Sequence, residues 1–168
     1  MKRWLPFVVP FVLIVAVGVA AKLYFSASMP PVDPSAAVEL ELADVSLDTP
    51  VVTTSGMAHY PVVVKQTVPG NLFRDEQTVY LFPLFVEHDT DDRAIRVLVR
   101  TSREPERFVS YEFMKITGAV RMATPEIVPF STEIQIGKRS DYFFTDDMVV
   151  LEPLTVEVDG EVWSAVEE

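Results

Sequence analysis

Residues 78–100 read TVYLFPLFVEHDTDDRAIRVLVR, two apolar runs joined by a polar, acidic stretch. The first run, Thr78–Glu87, is apolar on both faces, as in a strand that is buried on both sides. Pro83 cannot donate a hydrogen bond to a strand ladder, so we expect a bulge or a sheet edge there. In the second run, Ala94–Arg100, every second residue is isoleucine or valine, which predicts one core-facing side. Together the two runs predict a β-hairpin.

The same alternation of apolar and polar residues recurs on both sides of this hairpin. Ser55-Gly56 and Pro69-Gly70-Asn71 carry turn signals, and Gly118 is expected to mark a bulge. Asp159-Gly160 lies between two alternating runs, which is the clearest signal for a type I′ hairpin in the chain. The predicted strand segments are 38–42, 51–54, 60–68, 78–87, 94–100, 116–122, 132–136, 142–144, 148–151 and 154–166.

One segment favours a helix. Ser102 is a suitable N-cap, acidic residues follow it in the first turn, and Val109, Phe113 and Ile116 recur at helical spacing. We therefore predict at most one short helix, over Glu106–Met114, with a strand as the competing interpretation of the same residues.

These signals add up to about eight to ten short strands, which indicates a mainly β fold, either a small barrel or a sandwich. The specific expectation is an OB-like barrel over Val51–Leu151. It would consist of a long, broken first strand, a hairpin of strands two and three, a short helix and two closing strands. Residues 37–48 and 154–166 would be additions to that barrel.

The N-terminal segment indicates where the protein is located. Lys2 and Arg3 precede an apolar run, Leu5–Phe25, which as a helix would span roughly 31 Å, close to the ~30 Å hydrocarbon core of a bilayer. The excess of basic residues before the run predicts a cytoplasmic N-terminus and an extracytoplasmic remainder. A signal peptide cleaved near Ser26-Ala27-Ser28 is the alternative, although the run exceeds the ~7–15 residues usual for such peptides.

These features divide the chain into three predicted parts. Residues 1–25 form an N-terminal transmembrane signal anchor, residues 26–36 a proline-rich spacer, and residues 37–168 an extracytoplasmic β-rich domain. The spacer contains three prolines and small residues, which favours an extended and semi-rigid linker. The expected location is the bacterial inner membrane, crossed once, with the C-terminal domain in the periplasm.

The charge of the chain is unevenly distributed. All 25 acidic residues lie after residue 25, together with only 11 of the 14 basic ones, which leaves a formal charge of −14 there. Such a charge disfavours nucleic acid and anionic lipid surfaces as partners, and it favours a basic partner. The chain has no cysteine, which excludes disulfides, thiol catalysis and cysteine-ligated metals.

The densest polar cluster is the acidic stretch 87–92. His88, Asp89 and Asp91 are weak candidates for a cation site, but their spacing is not that of an EF-hand loop, and a solvated turn is favoured. His59-Tyr60 offers a haem ligand pair, although an ordinary loop histidine is favoured. No nucleophile, histidine and acid form a recognisable set. We therefore expect no catalytic residue, no bound metal and no cofactor.

The most unusual charge feature is a group of arginines in and after the second apolar run. Arg96 and Arg100 are expected to share one face of a strand, and guanidinium groups suit bidentate recognition of carboxylates. The competing interpretation is a solvated face neutralised by neighbouring acids. The predicted interaction residues are Arg96, Arg100, Arg103 and Arg107.

An anchor, a spacer and the lack of a catalytic set predict a non-enzymatic, single-pass envelope protein. Residues 5–25 would contact the inner membrane. The β-domain is expected to bind another membrane or envelope protein, as an accessory, scaffold or assembly subunit of a membrane complex. The first alternative is a periplasmic domain that carries or senses a small ligand, a lipid or a metal. The second is an envelope enzyme that uses carboxylate chemistry.

Overall fold

The computed structural model describes residues 32–70, 75–86, 93–105 and 109–164. Within these ranges the protein contains eight β-strands, one α-helix and three short 3-10 turns, so the prediction of a mainly β fold with one helix is confirmed. The elements are β1 (Val38–Glu39), β2 (Val51–His59), β3 (Val64–Val68), β4 (Gln77–Phe85), β5 (Ala94–Thr101), β6 (Tyr111–Met122), α1 (Phe130–Arg139), β7 (Phe143–Val158) and β8 (Glu161–Ser164).

Among the described strands, five close into a ring. β2 is antiparallel to β6, β6 to β7, and β4 to β5, whereas β5 and β7 are parallel. The end of β2 pairs with the end of β4 through Met57–Phe85 and Ala58–Leu84, which completes the ring β2-β6-β7-β5-β4. A closed ring of five strands is the architecture of an OB-like barrel, and β2 followed by β3 is its long, broken first strand.

Pro83 lies inside β4 without interrupting it. On one side β4 pairs with β5, including Pro83 opposite Leu98, as the predicted hairpin requires. On the other side, β3 pairs with β4 as far as Leu81, and the pairing between β2 and β4 begins only at Leu84. Pro83 therefore lies at a local edge between two partner strands, where a proline is tolerated.

Apolar side chains fill both sides of the sheet, which explains why the first apolar run, in β4, is apolar on both faces. Alternate residues of a strand point to opposite sides, so β4 and β5 contribute to two cores. The larger core fills the barrel, and the smaller one lies between the sheet and α1. The barrel core includes Val52, Phe82, Leu84, Val97, Val99, Ile116 and Leu151, and the second core includes Val62, Val64, Leu81, Ile95, Leu98 and Ile136.

The predicted position of the helix is wrong, and the competing interpretation of the segment as a strand is confirmed from Tyr111 onward. β6 begins within the segment predicted as a helix, Glu106–Met114, of which residues 106–108 lie outside the described part. The helix is instead α1, over residues predicted as a strand. Thr132 and Ile136 are its buried residues. Because they are four residues apart, they lie on one face of a helix, yet they also fit an alternating strand pattern.

Of the four glycine positions singled out in the sequence, Gly118 and Gly160 behave as predicted, and the turn predicted at Pro69-Gly70-Asn71 extends beyond the described residues. The irregularity predicted at Gly118 is confirmed, since the register between β6 and β7 shifts between Thr117 and Gly118, although the extra residue, Leu154, lies on β7. The hairpin at Asp159-Gly160 is also confirmed, because both residues have positive φ, 51° and 81°, and join β7 to β8.

The turn predicted at Ser55-Gly56 is wrong, since β2 runs through it. A Cβ on Gly56 would lie 2.8 Å from the Leu84 side chain and from the Phe85 carbonyl oxygen. The glycine therefore permits the close approach of β2 and β4 that closes the barrel. The strand predicted over 38–42 is also shorter than expected, because Leu42–Asp44 forms a 3-10 turn.

The residues before the barrel are described only in part. The predicted anchor, residues 1–25, and spacer residues 26–31 lie outside the described residues, so both assignments stay predictions. The end of the spacer, Pro34–Ala36, forms a 3-10 turn, and the Asp33 carboxylate caps it by accepting from the Ser35 N–H. In the part of the chain that the structure describes, no helix has the length and apolar character needed to cross a membrane.

Candidate functional site

One seam of the closed barrel, between β5 and β7, is paired over only part of its length. The ladder between β5 and β7 ends at the pair Val99–Leu151, and further along β7 pairs with β8 instead. Pro153, just past that end, has no N–H that could extend the ladder. Among the described strands β8 pairs with β7 alone. A cavity of about 370 Å³ lies here, lined on one side by the end of β5 and on the other by the β7–β8 hairpin.

The seam cavity has an apolar floor and a largely acidic rim. Tyr60 reaches in from the turn after β2, and its hydroxyl donates a 2.5 Å hydrogen bond to Glu112 Oε2. The Tyr60 ring also packs edge-on against Phe82, with ring centroids 5.0 Å apart. The floor includes Phe82, Val99, Met114 and Val156, and the rim includes Glu112, Asp159 and Glu161.

Arg103 and Trp163 meet across this seam. The guanidinium carbon of Arg103 lies 3.9 Å from the centroid of the Trp163 ring, a close cation–π contact. The backbone N–H of Arg103 donates to Thr101 Oγ1 at 3.2 Å, which fixes the chain where it leaves β5. Trp163 stands opposite Val156 in the β7–β8 ladder, so its ring shares the cavity-facing side of the hairpin.

The predicted arginines occupy different surroundings. Arg100 Nη1 donates to Glu152 Oε1 at 2.9 Å, and Arg121 Nε donates to the other oxygen of the same carboxylate at 3.2 Å. This partly buried cluster joins β5, β7 and β6. Arg96 is exposed, and Arg103 is at the seam. Arg107 lies outside the described residues.

The structure does not describe the predicted cation site. His88, Asp89 and Asp91 lie outside the described residues, so that site stays a prediction. Over residues 32–70, 75–86, 93–105 and 109–164, no group of three or more histidine and acidic side chains could hold a metal ion.

His59 and Tyr60, considered above as a haem ligand pair, contact different groups. His59 packs against Phe85 and Tyr111 on the outside of the barrel, whereas Tyr60 packs against Phe82 of the barrel core. Tyr60 lies in the turn after β2 and its ring enters the barrel, so the two side chains are not placed to bind one iron atom together.

A second candidate site lies on the outer surface of β2, β4 and β6. Met57 pairs with Phe113 on one side and with Phe85 on the other, and His59 pairs with Tyr111. Tyr111 is 56% exposed and Phe113 45% exposed, two positions apart on one face of β6. We call Met57, Phe85, Tyr111 and Phe113 the aromatic face. The helix predicted over this segment concealed it, since residues two positions apart, such as Tyr111 and Phe113, do not share a face of a helix.

The buried His59 packs against Tyr111 of the aromatic face. Its side chain is buried, its ring stacks on Tyr111 with centroids 4.6 Å apart, and it meets the Tyr142 ring edge-on at 5.3 Å. Among the residues that the structure describes, His59 Nδ1 finds no hydrogen-bond partner. Burial lowers the pKa of His59 and raises the pKa of Tyr142, because both groups are charged less readily away from water. The neutral imidazole therefore acts as an apolar packing surface for Tyr111.

Comparisons with known proteins give a likeness of fold and no family. No protein-family model and no curated protein matches the chain. A similar solved structure is the OB domain of a protein from Thermoplasma acidophilum, determined by solution NMR. It is 15% identical, with 77% of this chain and 89% of that chain covered and a TM-score of 0.41. The strand pairings of this chain, rather than this similarity, define its barrel.

Proposed function

We propose that the β-domain binds a partner protein through the aromatic face. The supporting observation is that Tyr111 and Phe113 present half-exposed rings side by side, with Met57 and Phe85 on the neighbouring strands. Aromatic residues and methionine are enriched at the cores of protein interfaces. A contiguous apolar patch on an otherwise acidic domain is also the usual mark of an interaction surface.

The formal charge of −14 after residue 25 favours a protein over the other surfaces that an aromatic patch can contact. Anionic lipid headgroups and nucleic acid backbones would both repel such a domain. A protein partner has no such general penalty, because its own charges are local and can be complementary.

The proposal also states how the protein is attached to the membrane. Residues 5–25 are proposed to anchor the chain in the bacterial inner membrane, with the β-domain in the periplasm, as an accessory, scaffold or assembly subunit of a membrane complex. Confinement to the membrane raises the local concentration of a membrane-bound partner, so a modest contact area on the aromatic face would suffice for assembly. The proposal assigns no reaction to the domain.

A capture experiment with matched variants tests the proposal. The full-length tagged protein is purified in mild detergent after crosslinking in cells, and co-purified proteins are identified by mass spectrometry. Phe113→Ser removes a ring from the aromatic face, whereas Phe130→Ser removes a 72% exposed ring from α1. We expect a defined partner that is retained by F130S and lost with F113S. The same partner recovered with both variants would exclude the aromatic face as the interface.

The alternative function, a periplasmic ligand carrier, is supported by the seam cavity. Its volume of about 370 Å³ lies within the range of ~300–1,000 Å³ common for small-molecule sites. Native mass spectrometry of the purified full-length protein tests this function. An added mass that disappears on denaturation would support a carrier, and the bare polypeptide mass would count against it.

A further inference from the structure

The aromatic ring in the wall of the seam cavity is already in contact with a cation of the same chain, the Arg103 guanidinium. Arg103 extends from the end of β5 and places its guanidinium over the Trp163 ring of β8, on the far side of the seam. The side chain of Arg103 is exposed, and its guanidinium is held by this cation–π contact. The aromatic wall of the cavity is therefore shaped for a guanidinium group.

The charges around the cavity also favour a cation. Glu112, Asp159 and Glu161 line the cavity together with Arg103, so carboxylates outnumber the basic group. Glu112 is held in place by the Tyr60 hydroxyl at 2.5 Å. Below the rim, Phe82 and Val156 are buried and apolar, a surface suited to the aliphatic stem of a long basic side chain.

From this arrangement we propose that the seam cavity binds an arginine side chain from a basic segment of a partner protein. In the absence of the partner, Arg103 occupies the Trp163 ring in its place. When the partner's arginine enters, Arg103 leaves the ring for solvent, and the incoming guanidinium takes over the cation–π contact and gains the rim carboxylates. Arg103 thus competes with the partner and lowers its apparent affinity.

This site is distinct from the aromatic face, so its test is independent of the function proposed above. Glu112 and Met114 point into the cavity, whereas Tyr111 and Phe113 point outward from the same strand. A variant at the seam therefore leaves the aromatic face unchanged, and the reverse also holds.

The fluorescence of Trp163 reports directly on the cavity. The chain contains two tryptophans, so Trp4→Phe leaves Trp163 as the only one. The full-length W4F protein in detergent micelles is titrated with a short acetylated peptide containing one central arginine, and with the same peptide containing citrulline. We expect a saturable change with the arginine peptide, weakened by added salt, and none with citrulline, which has the same shape but no charge.

Removing the Arg103 guanidinium tests its competition with the peptide more directly than the titration of W4F alone. In an Arg103→Gln variant the arginine peptide is expected to bind about twofold to fivefold more tightly, the factor that corresponds to an exposed cation–π contact. Arg96→Gln is the matched control, since it removes the same charge from an exposed position on β5. It is expected to leave the affinity unchanged or to alter it by the small general effect of net charge.

Three outcomes would overturn the proposal. Binding that is unchanged or weaker in R103Q would show that Arg103 does not compete for the ring. Equal binding of the citrulline peptide would show that charge is not recognised. Saturation by the polyamine spermidine at concentrations lower than those of the arginine peptide would assign the cavity to a small cation instead of a partner protein.

Discussion

His59 links the aromatic face to pH. Its ring is enclosed by Phe85, Tyr111 and Tyr142, and burial lowers its pKa below the ordinary value of 6.5. Below that pH the unfolded chain binds a proton that the folded domain does not, so the free energy of unfolding falls as the pH drops from about 7 to about 5. In a His59→Phe variant this slope should disappear, as measured by urea unfolding at several pH values.

The pH range from about 7 to about 5 separates the effect of His59 on stability from that of the carboxylates. Groups such as Glu39, whose pKa is lowered by Lys115, lose their stabilising effect only as the pH falls below the ordinary value of 4.5. His88→Gln removes the only other histidine of the sequence and serves as the control. A slope that persists in H59F, or one that is abolished by H88Q, would contradict this role of His59.

The partners of single residues were largely beyond prediction from the sequence. Arg96, Arg100, Arg103 and Arg107 are close together in the chain, which suggested one positive patch. Arg100 instead contacts Glu152, 52 positions away, and Arg103 contacts the ring of Trp163. Such contacts depend on which strands are neighbours, and the alternation of apolar residues within one strand carries no information on its neighbours.

At the level of elements, two glycines should respond oppositely to alanine. A Cβ on Gly118, which lies on β6 opposite the bulge of β7, would lie 2.7 Å from the Glu152 carbonyl oxygen, which is backbone and cannot move without disturbing β7. We expect Gly118→Ala to lower the free energy of unfolding by about 2–4 kcal/mol. In α1, a Cβ on Gly137 would have the Tyr142 carbonyl oxygen as its contact, at 3.9 Å. Gly137→Ala should therefore raise the free energy of unfolding by about 0.5–1 kcal/mol.

Urea unfolding of the two variants measures both changes in the free energy of unfolding. Opposite signs are expected, because one glycine provides space for a neighbouring strand while the other only weakens a helix. A loss of stability in G137A comparable to that in G118A would show that α1 is not an ordinary helix, and a neutral G118A would show that the bulge is not tightly packed.

Strong local signals predicted their elements well. The β4–β5 hairpin follows from two long apolar runs, and the β7–β8 hairpin follows from Asp159-Gly160, which accepts the positive φ of a tight turn. The helix was misplaced because its signal is weak: Thr132 and Ile136 satisfy both periodicities, and Phe113 lies at a helical spacing by coincidence. Tertiary packing, rather than local pattern, selected the structure at both places.

At the level of the whole molecule, the membrane anchor makes a prediction about mass and fractionation. If residues 1–25 remain as a signal anchor, the mature protein keeps its full mass of 18.9 kDa and stays in the membrane pellet after alkaline carbonate extraction. Intact-mass measurement of protein purified from membranes checks this. A shorter species beginning near Ser26-Ala27-Ser28 and released by carbonate would support the cleaved signal peptide instead.

Composition alone restricted the choice of partner more than any motif did. The acidic residues are all outside the proposed anchor, and this excess argues against lipid and nucleic acid as binding surfaces for the domain. The aromatic face and the seam cavity could not be read from the sequence, since each combines residues from strands or turns that are distant in the chain. Both required the order in which the strands close the barrel.

The central claim, that a protein partner binds at the aromatic face, is tested most directly by position-specific photo-crosslinking in intact cells. A photoreactive phenylalanine analogue is placed at Phe113, and in a control at Phe130, which is more exposed but lies on α1. We predict one defined crosslinked species from position 113 and none from position 130. No crosslink from position 113, or the same species from both positions, would contradict the claim.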